Sequence, residues 1–370
     1  MQANASVPRE TDLLAAARTG DESAFRDLIE PHRDELQALS YRLLGSTHDA
    51  EDATQEALVR AWRALPRFDG RSRLRTWLYR IATNVCLDAL ASRRRRLLPM
   101  DYGPPVREGA EAPTDPLDSE LWIEPYPHEL ARLSENGPDP AARCAARETI
   151  ELSFVAALQH LPPRQRCILV LRDVLSFSAS EVAEMLSTTS TSVNSALQRA
   201  REAIERRLPE GSEQENLRWL GDARLRQLVS DLIDSFERGD VEAILAMLAE
   251  DVRFSMPPYA AWYQGRPGVA DSWLIPDERP TGLRFLPTRA NGQIALGVYK
   301  FDRQSRRYRP IALEVLSLRG ELVVEVTSFR YPELVRRFGL PEELPDDDTE
   351  ARPKDPRDGS AQVERSSLSY

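Results

Sequence analysis

The chain has 370 residues, 41% of them hydrophobic and 29% charged, and its 49 basic and 59 acidic side chains give a formal net charge of -10. That length supports two or three ordinary domains and excludes a single small module. No apolar run approaches the roughly 20 residues of a membrane helix, and the opening Met1–Asp12 stretch lacks a signal-peptide core, so a cytoplasmic protein is expected.

From Thr11 to Arg96 apolar residues recur at helical spacing, through Leu13, Phe25, Leu28, Leu36, Leu39 and Leu43, and predict an all-helical domain over 10–98. A long helix from about Asp49 carries Ala53, Ala57, Leu58, Ala61 and Trp62 on one face. Pro66 and Gly70 break it before a second helix with Trp77, Ile81, Val85 and Leu90. Charge is distributed unevenly. Pro66–Leu98 holds nine arginines against two acids, a candidate polyanion surface. Pro99–Glu148 holds four arginines against eleven acids among many prolines, so 99–145 reads as a flexible acidic linker. Such a linker of roughly 45 residues spans about 35 to 40 Å.

Helical pattern returns at Ile150, Leu152, Phe154, Val155 and Leu158 and stops at Leu161-Pro162-Pro163, where a proline opens the next helix of a second domain over 146–208. From about Asp222 a stripe of Leu225, Leu228, Leu232 and Phe236 ends at Gly239, and Asp240 caps a further helix. Strand patterns follow at Val252–Met256, Arg284–Leu286, Ile294–Tyr299, Ile311–Leu318 and Leu322–Phe329, with a hairpin turn at Arg319-Gly320. The fold class expected is multidomain: two all-α domains and an α+β domain over 217–340, in which a curved sheet wraps a helix. Residues 341–370, acidic and ending in serines, read as a disordered tail. Cys86, Cys144 and Cys167 form no CxxC pair and have no neighbouring histidine, so neither a disulfide frame nor a metal site is expected.

Ser176–Leu186, Ser187-Thr188-Thr189 and Ser190–Arg207 have the shape of a helix-turn-helix. In its second helix Val193, Leu197, Ala200 and Ile204 fall inward, leaving Thr191, Asn194, Ser195, Gln198, Arg199 and Arg201 outward. Short polar side chains followed by arginines suit reading base edges and then gripping phosphates. Taken alone, the segment is equally compatible with an ordinary amphipathic helix pair. The basic stretch is similarly open: Arg93–Arg96 resembles many solvated runs, but Arg71, Arg73, Arg75 and Arg80 interleave with Phe68, Trp77, Tyr79 and Asn84, and single-stranded nucleic acid needs stacking faces as well as charge.

Together these segments resemble the extracytoplasmic-function sigma factors of bacterial RNA polymerase. The motifs are Asp49–Glu56, Arg60-Ala61-Trp62, Phe68-Asp69-Gly70, Arg75–Tyr79, Ile81–Asn84, Leu161–Arg166 and Asn194–Arg201, in that order over about Thr11–Leu208. The resemblance implies that Asp49, Glu51, Asp52, Gln55 and Glu56 dock on the β′ clamp helices of core RNA polymerase, with the β flap as a further contact. It implies that Arg71, Arg73, Arg75, Trp77, Arg80 and Asn84 bind and melt the minus-ten element, and that the outward face of the recognition helix reads the minus-thirty-five element of promoter DNA. No catalytic residue, cofactor or metal is implied.

The remaining third departs from the minimal family. Leu248–Phe254, Trp262–Gly265 and the closing Pro332-Glu333-Leu334 resemble SnoaL-like polyketide cyclases, cone-shaped α+β domains. The resemblance implies an apolar pocket for a possible small ligand, with Phe254, Met256, Tyr259, Trp262, Tyr263 and Trp273 as candidate lining. Enzymes of that fold use a buried carboxylate or histidine; the last histidine here is His160, and Glu314 and Glu325 are the candidate carboxylates. The expectation is a regulatory domain without catalysis, which contacts the helical domains and makes a separate anti-sigma factor unnecessary.

Overall fold

The computed structural model describes residues 10–107, 109–110, 112–127, 150–208, 213–274 and 282–346. The first domain consists of α1 (Glu10–Arg18), α2 (Glu22–Leu44), α3 (Thr47–Ala64) and α4 (Leu74–Ser92). Asp21 caps α2 by accepting from the amides of Ser23 and Ala24, and Gly45, at φ 72, ends it in the left-handed region. Ser46 caps α3, whose buried stripe of Ala50, Ala53, Ala57 and Ala61 lets it lie close against its neighbours.

The linker holds the short α5 (Pro99–Tyr102). The second domain has α6 (Leu152–Gln159), α7 (Pro163–Leu169), a π turn at Val170–Val174, α8 (Ala179–Met185) and α9 (Ser190–Glu205). Helices α8 and α9 are the expected helix-turn-helix. Ser178 and Glu181 close a capping box at the start of α8. Ser187 in the turn adopts φ 51, a left-handed conformation that costs a serine about 1 kcal/mol and a glycine little. A single apolar core runs through both helical domains, joining Leu39, Tyr79 and Cys86 to Leu158, Cys167 and Met185. Burial pushes the Cys86 thiol up to about 12, so it stays protonated.

The third domain has α10 (Glu213–Arg238), which bends at Gly221, then α11 (Val241–Met247), β1 (Leu248–Ser255), β2 (Trp262–Gln264) and α12 (Gly265–Leu274). It continues with β3 (Leu283–Ala290), β4 (Gln293–Asp302), β5 (Arg307–Arg319), β6 (Leu322–Phe329) and α13 (Leu334–Arg337). The strands form one sheet in the order β2-β1-β6-β5-β4-β3, antiparallel except for β1 beside β6. Register shifts at Val298/Tyr299 and Ser317/Leu318 bend it. One face packs on α10, where Leu228, Leu232 and Phe236 meet Phe254, Phe285 and Leu296. Strand β2 and helix α12 are additions to the elements expected from sequence. The domain starts at Glu213 and not 217, and the chain stays paired past 340, since Leu344 bridges to Tyr308 and the Tyr299 hydroxyl donates to the Pro341 carbonyl at 2.7 Å. Residues 347–370 of the expected tail lie outside the described residues.

The reading of 99–145 as a flexible linker is corrected for its described part. Trp122, Ile123 and Tyr126 are fully buried, and Leu97 and Ile123 exchange backbone hydrogen bonds with Leu121 and Leu97. Val106 donates to the Trp262 carbonyl at 2.8 Å, so the linker lies along the exposed edge of β2. Average acidity concealed these apolar anchors, which are too few to shift the composition and sit where three domains meet. Residues 128–149, including Cys144, lie outside the described residues.

Candidate nucleic-acid and partner interfaces

Helix α4 presents the basic face. Arg71, Arg73 and Asn84 are exposed, and Arg71 pairs locally with Asp69 at 3.0 Å. Arg75 is not open to solvent in the same way: its guanidinium lies 4.8 Å from the Tyr79 ring centre and 4.7 Å from that of Phe177, with Glu35 at 3.4 Å. Tyr79 donates to the same Glu35 carboxylate at 2.7 Å. The Thr76 hydroxyl donates to Glu181 at 3.3 Å, and Arg80 reaches Glu184 at 4.0 Å. Helix α8 of the second domain therefore lies across the basic face of the first. Hydrogen bonds from the Ser178 backbone and side chain hold the Glu181 carboxyl below its usual range, so it meets this face as an anion. Trp77, expected as a stacking surface, is instead a core residue, 5% exposed with its ring 5.0 Å from Phe68.

On α9, Val193, Leu197, Ala200 and Ile204 are buried, whereas Thr191, Asn194, Ser195, Gln198, Arg199 and Arg201 are exposed. The outward face of α9 is thus open, while the face of α4 is covered in part, at Arg75, Thr76 and Arg80. Arg201 forms a two-point pair with Asp173, both contacts at 2.7 Å, and Gln198 donates to Glu202 at 3.2 Å.

The acidic residues of α3 divide. Asp49 is buried, 2.7 Å from Arg96 and paired also with Arg93, so it braces the end of α4 and is not part of an open acidic face. Glu51 is ion-paired with Arg337 of the third domain at 3.2 Å. Asp52, Gln55 and Glu56 are exposed, and Arg60 ties Glu56 to Asp88 of α4.

In the third domain the interior cavity measures about 20 Å³, enough for roughly one water. Phe254 lines it with Leu232, Phe236 and Glu314. Met256, Tyr259, Trp262 and Tyr263 do not. The Trp262 indole donates to the Gly103 carbonyl at 2.8 Å and so fastens the linker. The Trp273 side chain lies outside the described residues. Glu314 faces the cavity and accepts from Ser328 at 3.3 Å, whereas Glu325 lies on the opposite sheet face, where burial raises its carboxyl pKa and Arg253 pairs with it. The two carboxylates do not converge. Among the described residues no cluster could hold a metal, and no helix is long and apolar enough to cross a membrane.

The strongest polar constellation escaped the sequence reading. At the β3–β4 turn, Asn291 and Gly292 have φ 55 and 72, and Asn291 is fully buried. Its amide donates to the Tyr126 carbonyl, its Oδ1 accepts from the Tyr126 amide, and its Nδ2 donates to both Tyr41 Oη and the Ile150 carbonyl, all at 2.8 Å. Gln293 accepts from the Leu152 amide at 2.9 Å. One hairpin tip thus holds α2, both sides of the linker gap and the start of α6. The Asn-Gly pair between two β-rich runs is a hairpin signal legible in sequence, but its partners are not.

Glu213 stands beside this seam, accepting from the Leu318 amide at 3.0 Å, while Glu151 accepts from the Gln214 amide. Burial, with the charges of Glu151 and Glu325 adding to it, raises the Glu213 pKa well above the usual carboxylate range. A carboxyl with a raised folded pKa gives its full stability below the unfolded value near 4.5, and loses it as pH climbs toward the folded value. Glu213→Gln should therefore match wild type in melting temperature near pH 4 and exceed it increasingly toward pH 8. Parallel melting curves across that range would contradict this.

Residues 28–96 match Sigma-70 region 2 and residues 151–204 match Sigma-70, region 4. The ECF RNA polymerase sigma factor SigG of Mycobacterium tuberculosis is 39% identical over 332 residues, 89% of this chain and 86% of that protein. SigW of Bacillus subtilis is 30% identical over 197 residues, 53% of this chain and 94% of its own. The crystal structure of the Mycobacterium tuberculosis extracytoplasmic function sigma factor SigJ, 22% identical, superposes with a TM-score of 0.54 over 84% of this chain and 97% of that one, a likeness of fold that includes the third domain. With both helical domains matched and a relative aligned through the sheet, the chain belongs to the ECF sigma factors, the subunits that direct bacterial RNA polymerase to promoters.

Proposed function

We propose that this sigma factor is stored closed, with its third domain in the part of a built-in inhibitor, so that no separate anti-sigma factor is required. In the working state α4 and the loop before it bind and melt the minus-ten element through Arg71, Arg73, Arg75, Arg80 and Asn84. Helix α9 reads the minus-thirty-five element, α3 docks on the β′ clamp helices, and the second domain meets the β flap. The observation that carries this reading is α8 lying on α4, with Thr76 and Glu181 in hydrogen-bond contact. Elements about 25 base pairs apart stand roughly 85 Å apart along duplex DNA, at about 3.4 Å per pair. Two domains that share a core cannot span that distance, so promoter binding requires them to separate.

Truncation after Leu208 tests the inhibitor role. The shortened chain should give several-fold more run-off transcript with core polymerase and should lose the compact scattering profile. Equal transcription from both forms would refute it. The alternative, a third domain that senses a small apolar ligand, is favoured by Glu314 being the acidic group of an otherwise apolar cavity. At about 20 Å³ that cavity would have to expand to admit one. The separation of Glu314 from Glu325 argues against an isomerase-like enzyme.

A further inference from the structure

The first turn of α3 lies in the domain seam. Ala50 is fully buried in a cluster that includes Phe338, with Tyr331 and Leu334 packed against it, and Arg337 is paired with Glu51. One turn further along, the same helix is open: Asp52 and Glu56 are exposed, and Val59, 42% exposed, is an apolar side chain standing among them. On the outer surface of α3 the third domain therefore covers Glu51, through Arg337, and leaves the adjoining stretch bare. The covering segment supplies a guanidinium to an acidic helix, the same chemistry that a basic docking surface on polymerase would offer.

We propose that the Tyr331–Leu340 segment and the polymerase clamp compete for α3, so that the third domain and core polymerase exclude each other. This rests on α3 being the polymerase-docking helix. Polymerase lands first on the bare stretch from Asp52 to Val59. Completing the contact to Glu51 then requires displacing Arg337, which weakens the hold of the third domain on the first. Storage and activation thus meet on one helix turn, and polymerase itself is the opening ligand, because it binds the open state and not the closed one.

The test is equilibrium binding of full-length chain to core RNA polymerase, with thermal melting to verify folding. Arg337→Glu, which sets two acids against each other, should tighten binding about 5- to 10-fold, and the milder Arg337→Gln less, in proportion to the loss of a partly exposed ion pair. Asp52→Ala should weaken binding without changing compactness, since it removes only the landing surface. Glu51→Arg combined with Arg337→Glu restores the internal pair and should bind more weakly than wild type. Unchanged or weaker binding by both Arg337 variants overturns the competition. Unchanged binding by Asp52→Ala would instead remove the assignment of α3, whatever the Arg337 variants do.

Discussion

Asn291→Gly should open the closed state while leaving each domain folded. Glycine keeps the φ of 55 without strain, so the substitution removes only the side-chain bonds. It strands the Tyr126 amide and the Ile150 carbonyl at a buried junction, whereas Tyr41 Oη keeps its bond to the Glu124 carbonyl. Unsatisfied buried groups cost about 1 to 3 kcal/mol each, so with two of them the closed arrangement should lose roughly 2 to 6 kcal/mol. The core of the third domain is a separate cluster and keeps its contacts. The expected result is a larger radius of gyration, faster hydrogen exchange at Tyr126 and Leu152, and increased run-off transcription. Asn291→Asp should open it further: it retains the acceptor toward Tyr126 but turns a carboxylate oxygen toward the Ile150 carbonyl, burying an unpaired charge. An Asn291→Gly variant as compact and as protected as wild type would show that the hairpin tip holds nothing.

The helical domains and the strands were legible because their patterns are local. Alternation at Val252, Phe254 and Met256, the β-rich runs of β4 and β5, the proline entry to α7 and the inward Val193, Leu197, Ala200 and Ile204 are all signals within single elements. The assembly was not, because its signals are divided between distant residues. Asp49 reads as one more acid on a docking helix until Arg96, 47 positions away, comes to lie against it. Tyr126 and Trp122 sit in a stretch whose mean composition is that of a linker. Asn291 is an ordinary turn residue until Tyr41 and Ile150 arrive. Trp77 illustrates the same limit: its i+4 spacing to Ile81 is a packing signal, and its place between arginines suggested a stacking role that its burial against Phe68 rules out.

These positions explain one another. Asp49, Trp77 and the linker anchors are buried in the shared core or at the domain seam, and Glu51 is paired across that seam with Arg337. Asn84, Asn194, Ser195 and Gln198, expected at the DNA surface, lie on faces that remain exposed. On the proposed assignments, the closed state takes up Glu51 of α3 and part of the α4 face and leaves the outward face of α9 free. That arrangement predicts that the full-length chain binds upstream duplex before it melts a promoter, which footprinting against permanganate reactivity would check.

Within α4 the effects of Trp77 and Asn84 should separate completely. Trp77→Ala removes a nearly buried indole from the core that both helical domains share, a loss of about 3 to 5 kcal/mol. Melting temperature, polymerase binding and transcription should all fall together, because the scaffold that presents every arginine of α4 is compromised. Asn84→Ala touches only an exposed side chain and should leave melting temperature and polymerase binding within experimental scatter. It should reduce permanganate reactivity at the promoter bubble, since a hydrogen-bonding group facing the unstacked strand is lost. Arg75 stands between the two. Freed from Phe177 on opening, it becomes available to the DNA strand, so Arg75→Ala should loosen the closed state and weaken melting at once. A Trp77→Ala protein that folds and binds polymerase normally, yet fails to open promoters, would return Trp77 to the DNA surface. Its contact with Phe68 would then have to break whenever the promoter melts.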